Sequence, residues 1–197
     1  MAEKKKDLET ITFATPAALQ RWLTTHHEKS PGIWLKIAKK DSGVLSVTYA
    51  EALDVALAFG WIDGQKASFD ASYFLQRFTP RRAKSKWSQI NCAKAAALIA
   101  SGKMRPAGLK EVEAAKKDGR WVAAYAGQKT STVPDDLRRA LAKNRKAAAF
   151  FEEISSANRY AILYRLHHTT KPELRAAKIE KFTKMLAAGE TFHPHKK

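Results

Sequence analysis

Ile33, Leu35 and Ile37 alternate with Trp34, Lys36 and Ala38, a period of two that a strand can bury on one face and a helix cannot. Tyr73-Phe-Leu-Gln-Arg-Phe78 is a second extended run, Ile11-Thr-Phe13 a shorter one. Asp70-Ala-Ser72 supplies a hairpin turn between Trp61-Ile-Asp-Gly64 and the run at 73. Beyond residue 133 this period vanishes. Apolar positions there recur only three and four apart, as in Tyr160, Leu163, Tyr164 and His167, which predicts helices with His167 on the packed stripe. The switch of period predicts an α+β chain. Its N-terminal domain, residues 1–120, holds a small antiparallel sheet packed by helices. A linker spans 121–133, an all-helical domain 134–190 and a flexible tail 191–197.

Helix punctuation is clear in several places. Thr15-Pro16 places a cap before a proline at the first helical position. Thr48-Tyr-Ala-Glu51 has capping-box spacing, with Gly60 as the stop. Helices are expected from about Ser85 to Ala100 and from Pro106 to Lys117. Pro134-Asp-Asp begins a helix with acids in its first turn, and Thr170-Lys-Pro-Glu173 reads as another capping box.

Charge limits the partners. The 197 residues carry 36 basic and 19 acidic side chains, a net charge of +17. Both halves are basic, and no acid stands between Asp70 and Glu111. Such a balance favours polyanions. A single cysteine, Cys92, cannot form an internal disulfide and reads as a packing thiol. The opening residues are charged with no apolar run behind them, and no stretch approaches the roughly 20 residues of a transmembrane helix. A cytoplasmic protein is expected.

No metal-ligand spacing, phosphate-binding glycine loop or nucleophile elbow is present. No cofactor, metal or catalytic set is therefore predicted. His193-Pro-His195 lies in the terminal tail, and the adjacent pairs His26-His27 and His167-His168 diverge too far on a helix to share an ion. The densest site-like cluster interleaves Arg77, Arg81 and Arg82 with Phe78 and Trp87. Arginine forks onto phosphate or carboxylate, and aromatics stack on bases or sugars. Trp87, Ile90 and Asn91 are expected on one helix face. Asp63 needs a cationic or N–H partner if partly buried, and Arg77 on the proposed partner strand and Arg81 are the expected candidates, either in a structural ion pair or in a pocket. The candidate ligand-binding set is Trp61, Asp63, Arg77, Arg81, Arg82, Trp87 and Asn91.

Phe59-Gly-Trp-Ile-Asp-Gly64, Arg77-Phe-Thr-Pro-Arg-Arg82 and Trp87-Ser-Gln-Ile-Asn91 follow one another in the order and spacing of the YdeI/OmpD-associated, or bacteriocin-protection, family. Gly32-Ile-Trp-Leu35, Met104-Arg-Pro-Ala-Gly108, Val133-Pro-Asp-Asp-Leu137 and Lys171-Pro-Glu173 with Arg175 also resemble it. Leu166-His-His-Thr-Thr170 departs from it. The resemblance spans about residues 11–190 and implies a bacterial protein linked to envelope or antimicrobial-peptide stress. The expected function is a non-enzymatic binding protein for a small anionic or sugar-like ligand. One alternative is nucleic-acid binding through the basic stretch 71–110. The other is an enzyme with an Asp63-centred acid/base site.

Overall fold

The alternating runs become strands β1 (Glu9–Thr12), β2 (Ile33–Ala38), β3 (Trp61–Ser68) and β4 (Tyr73–Pro80) in the computed structural model, which describes residues 8–194. They form one sheet in the order β1-β2-β4-β3. β2 with β4 and β4 with β3 are antiparallel, as expected, but β1 joins β2 in parallel. The sheet is therefore mixed. The parallel pair arises because helix α1 (Pro16–His26) separates the two strands, and a crossover returns the chain in the same direction. Ile33, Leu35 and Ile37 face Phe78, Gln76 and Phe74 across the ladder and point into the core.

Helices α2 (Tyr49–Ala58), α3 (Gln89–Ala100) and α4 (Pro106–Lys117) complete this first unit. Thr48 and Glu51 close the capping box. α3 starts at Gln89, later than the sequence suggests, because the preceding residues are used otherwise. Ser85 Oγ accepts the Arg82 N–H, Trp87 is buried, and Ser88 is the cap. Trp87 therefore precedes the helix instead of sharing its face, where Ile90 is exposed and Asn91 buried. The first unit ends at Ala124. Trp121 and Ala124, assigned to a linker from sequence, pack into its core.

α4 crosses the end of α2 at almost no distance. A Cβ on Gly108 would meet the carbonyl oxygen of Ala58 at 2.3 Å and that of Leu57 at 2.7 Å. The Arg105 N–H donates to the same Ala58 oxygen at 3.1 Å.

The second unit begins at Tyr125 and contains α5 (Asp135–Ala142), α6 (Arg145–Glu153), α7 (Ser156–His167) and α8 (Pro172–Ala187). Its core is built on Leu137, Phe151, Ile154, Ile162, Leu166 and Leu186, each burial contributing about 1.5–3 kcal/mol. His167 is exposed, not on the packed stripe. α8 is capped at Lys171, one residue later than the expected box, and has no side-chain capping bond. The expected flexible tail is tied down through His193. Phe192 packs edge-on against Phe182, and the His193 N–H donates to Asn158 Oδ1 at 2.9 Å. His195 and the rest of the tail lie outside the described residues.

Asp136 on α5 receives both Arg175 Nε (2.5 Å) and Nη2 (3.1 Å), while Arg175 Nη1 donates to the Leu166 carbonyl. One guanidinium thus clamps α5, α7 and α8. The bonded guanidinium holds the Asp136 carboxyl below the usual carboxylate range. A depressed folded-state value stabilises the fold above the ordinary aspartate value near 4. We expect Arg175→Ala to cost about 1–3 kcal/mol at neutral pH, with the difference from wild type shrinking as pH falls below about 4. Urea titrations at several pH values read this directly. Gly108→Ala should cost about 3 kcal/mol, the upper end of overpacking, as a lowered thermal midpoint.

Candidate functional site

Gly60 ends α2 with φ +74°, a left-handed turn that favours glycine. The turn starts β3 at Trp61, whose indole is buried and donates from Nε1 to the His27 carbonyl at 3.1 Å. That bond ties the end of α1 to the sheet. The Arg81 N–H donates to Gly60 O at 3.0 Å, which ties the end of β4 to the same corner. α4 then brings Arg105 and Pro106 alongside. These pieces enclose a cleft of about 700 Å³, walled by His27 and Glu28 at the end of α1, by Phe59, Gly60 and Trp61, and by Pro80 and Arg81. Arg105, Ala107, Lys110 and Glu111 form the wall contributed by α4.

Arg81 is the most unusual residue of this cleft. It is only 7% exposed, and burying a guanidinium requires compensation. Its Nη1 donates to the Lys86 carbonyl at 3.2 Å, and its guanidinium lies 3.6 Å over the Trp87 ring, a cation–π contact favoured by desolvation. Trp87 in turn packs on Trp121 at 5.0 Å. Ser85 O accepts from Arg120 Nη1 at 2.8 Å, and Arg120 is held by Asp118, so the loop between β4 and α3 is pinned from behind. Arg105 and Lys110 are exposed, and among the described residues neither makes an ion pair. α4 has no side-chain cap at its N-terminus, so its first-turn N–H groups add partial positive charge at the wall. Glu28 and Glu111 are the two carboxylates of the lining.

Of the predicted ligand-binding residues, Trp61 and Arg81 line the cleft. Trp87 is the platform under Arg81, only 2% exposed and shielded from a ligand. Asn91 is buried in the turn capped by Ser88. Arg82 is exposed in the pinned loop. The expected Asp63–Arg77 ion pair does not form. Asp63 stands opposite Phe78 on the core side of the sheet, and its Oδ2 accepts from Tyr49 Oη at 2.8 Å. Arg77, one position along β4, points to the other face and reaches Gln65 Oε1 at 3.4 Å. Alternation of side chains along a strand makes the two faces exclusive. Half-buried Cys92 has its thiol pushed up by burial, with Arg81 only partly opposing it, which suits packing and not nucleophilic work.

Residues 11–111 are matched by a family model described as a domain of unknown function (DUF8412), and residues 130–189 by one described as Bacteriocin-protection, YdeI or OmpD-Associated. Trp61–Gly64 and Arg77–Arg82 fall within the first match, Val133–Leu137 and Lys171–Arg175 within the second. Comparison with curated proteins and with solved structures gives no match.

A double-mutant cycle distinguishes the two arrangements of Asp63. Asp63→Asn with Arg77→Gln should be additive within about 0.5 kcal/mol. Asp63→Asn with Tyr49→Phe should couple by about 0.5–1.5 kcal/mol. Chemical denaturation of the three single and two double variants measures both.

Proposed function

This chain belongs to the family described as a domain of unknown function over residues 11–111 and carries a Bacteriocin-protection, YdeI or OmpD-associated domain over 130–189, and we propose that it is a non-enzymatic binding protein for a small anionic ligand. The observation that carries the proposal is the buried, Trp87-stacked Arg81 in a cleft that also holds Arg105 and Lys110. The fixed Arg81 charge adds to the positive field at the cleft wall without having to be ordered on binding. The exposed Arg105 and Lys110, without an ion pair among the described residues, supply long-range attraction, and the start of α4, which has no side-chain cap, supplies N–H donors.

A sugar-like ligand is less well served, because the rings of Trp61 and Phe59 are buried and offer no open face for stacking. The acid/base reading lacks a second group, since Asp63 is engaged by Tyr49 away from the arginines. No helix among the described residues is long and apolar enough to cross a membrane. Under this proposal the protein works in the cytoplasm and serves envelope or antimicrobial-peptide stress through the ligand it holds, the stress link being suggested by the bacteriocin-protection family that residues 130–189 match.

Thermal denaturation at constant ionic strength tests the reading, with phosphate, sulfate, short carboxylates and neutral sugars as probes. A bound anion at a hundred times its Kd adds about 2.7 kcal/mol of stability. We expect a saturable rise in Tm for at least one anion, lost in Arg105→Glu/Lys110→Glu, with sugars silent. An equal rise in that variant, or one produced only by sugars, refutes an anion site here.

A further inference from the structure

The sheet has a second face. α1 to α4 send their buried residues into the core on one side, with Ile33, Leu35, Ile37 and Phe78. The opposite side presents Trp34, Lys36, Tyr73, Leu75 and Arg77, all half-buried and none packed against that core. Trp34 is directly across from Arg77, Lys36 from Leu75, and Ala38 from Tyr73. The ladder adds Thr10 beside Trp34 and Thr12 beside Lys36. None of these outward positions is acidic. Asp70, in the turn between β3 and β4, already commits Oδ1 to the backbone N–H groups of Ser72 and Tyr73.

Aromatic rings and cations are interleaved on this face. Lys36 Nζ lies 4.7 Å from the Tyr73 ring centroid and 4.9 Å from that of Phe69. Arg77 runs past Gly64, where an added Cβ would sit 3.7 Å from its Nε, and this Nε is buried with no hydrogen-bond partner. Trp34 and Tyr73 sit four ladder positions apart on neighbouring strands, about 14 Å by the strand rise of roughly 3.4 Å per residue. An open four-stranded sheet bearing aromatics can stack two or three bases. Sequence-independent binding to single strands needs such rings along a positive track. A duplex offers no unstacked base to them. The net charge of +17 complements a phosphate backbone.

We propose that this sheet face, which carries none of the described helices of its own unit, binds single-stranded nucleic acid, stacking bases on Trp34 and Tyr73 and pairing phosphates with Lys36 and Arg77. This surface is separate from the anion cleft. It also differs from the acid-free stretch 71–110 taken as a whole, where Arg81 is buried and Lys94 is spent on Asp54 at 2.6 Å.

The test uses the full chain. Fluorescence anisotropy follows a labelled oligothymidylate of about 20 nucleotides, longer than the roughly 4–16 held by a single-strand-binding fold, and a duplex of equal length, across a salt series. Variants are Trp34→Ala, Tyr73→Ala and Arg77→Gln, with Lys181→Glu, exposed on α8, as a charge control. Each aromatic variant that keeps the wild-type circular dichroism should bind the single strand roughly tenfold more weakly. Arg77→Gln should reduce the salt slope by about 0.7, and Lys181→Glu should change affinity less than twofold. Ultraviolet crosslinking of the wild-type chain, mapped by mass spectrometry, should place the thymidylate adduct on Trp34 or Tyr73, so the outcome does not depend on any variant folding. Unchanged affinity in both aromatic variants, a duplex that binds as well as the single strand, a loss in Lys181→Glu equal to that in Arg77→Gln, or adducts confined to other residues would each overturn the proposal.

Discussion

The contact between the end of α2 and the first turn of α4 sets the geometry of the first unit. Gly108 has no side chain, so the backbone of α4 rests on the carbonyls of Leu57 and Ala58. Gly60 faces the same crossing, where an added Cβ would meet the Ala107 oxygen at 2.9 Å. Two missing side chains at one crossing fix where α4 starts. That start sets the wall of the cleft, and the Arg105 N–H bond to Ala58 locks it. A cationic site made of residues far apart in sequence therefore depends on local backbone contact more than on the cations themselves.

Within that frame Arg81 links fold to site. Its backbone closes the corner at Gly60, its guanidinium covers Trp87, and its position in the cleft follows from both. The second unit repeats the principle with Arg175, whose donors bind one carboxylate and one helix-terminal carbonyl. In the first unit the Arg81 backbone N–H and its guanidinium stacked on Trp87 join the strand end to the following loop, and in the second the Arg175 fork of donors joins three helices.

Much of the scaffold was legible in the chain. The alternation at 33–38, the Thr15-Pro16 start, the capping box at Thr48 and the Gly60 stop are local signals, and each appears where local chemistry puts it. The cluster around Arg81 and Trp87 was legible as composition, but the stacking of the Arg81 guanidinium on the buried Trp87 ring was not, because the ring read as a surface for a ligand. Strand registry was not. Asp63 and Arg77 look like natural partners on a hairpin, yet a register of Asp63 to Phe78 sends them to opposite faces. Arg105 and Lys110 read as ordinary members of a basic stretch, because only the glycine crossing shows that they border a cleft. The docked His193 was hidden by the usual expectation for chain ends, and its partner Asn158 lies on a different helix.

β3 is an outer strand of the sheet, and an outer strand carries unpaired N–H and C=O groups that can recruit a strand from another molecule. Here the ladder slips between Asp63 and Lys66. The buried Gln76 side chain takes up the freed carbonyls, donating from Nε2 to Gly64 O at 2.9 Å and to Gln65 O at 3.3 Å. Such a bulge increases local twist and breaks the run of edge groups, and Lys66 adds charge beside it. On the far side of the sheet β1 is only four residues long. Among the described residues neither edge of the sheet is at once long, flat and uncharged, which disfavours strand addition from another molecule even though one face of the sheet carries no helix of its own unit.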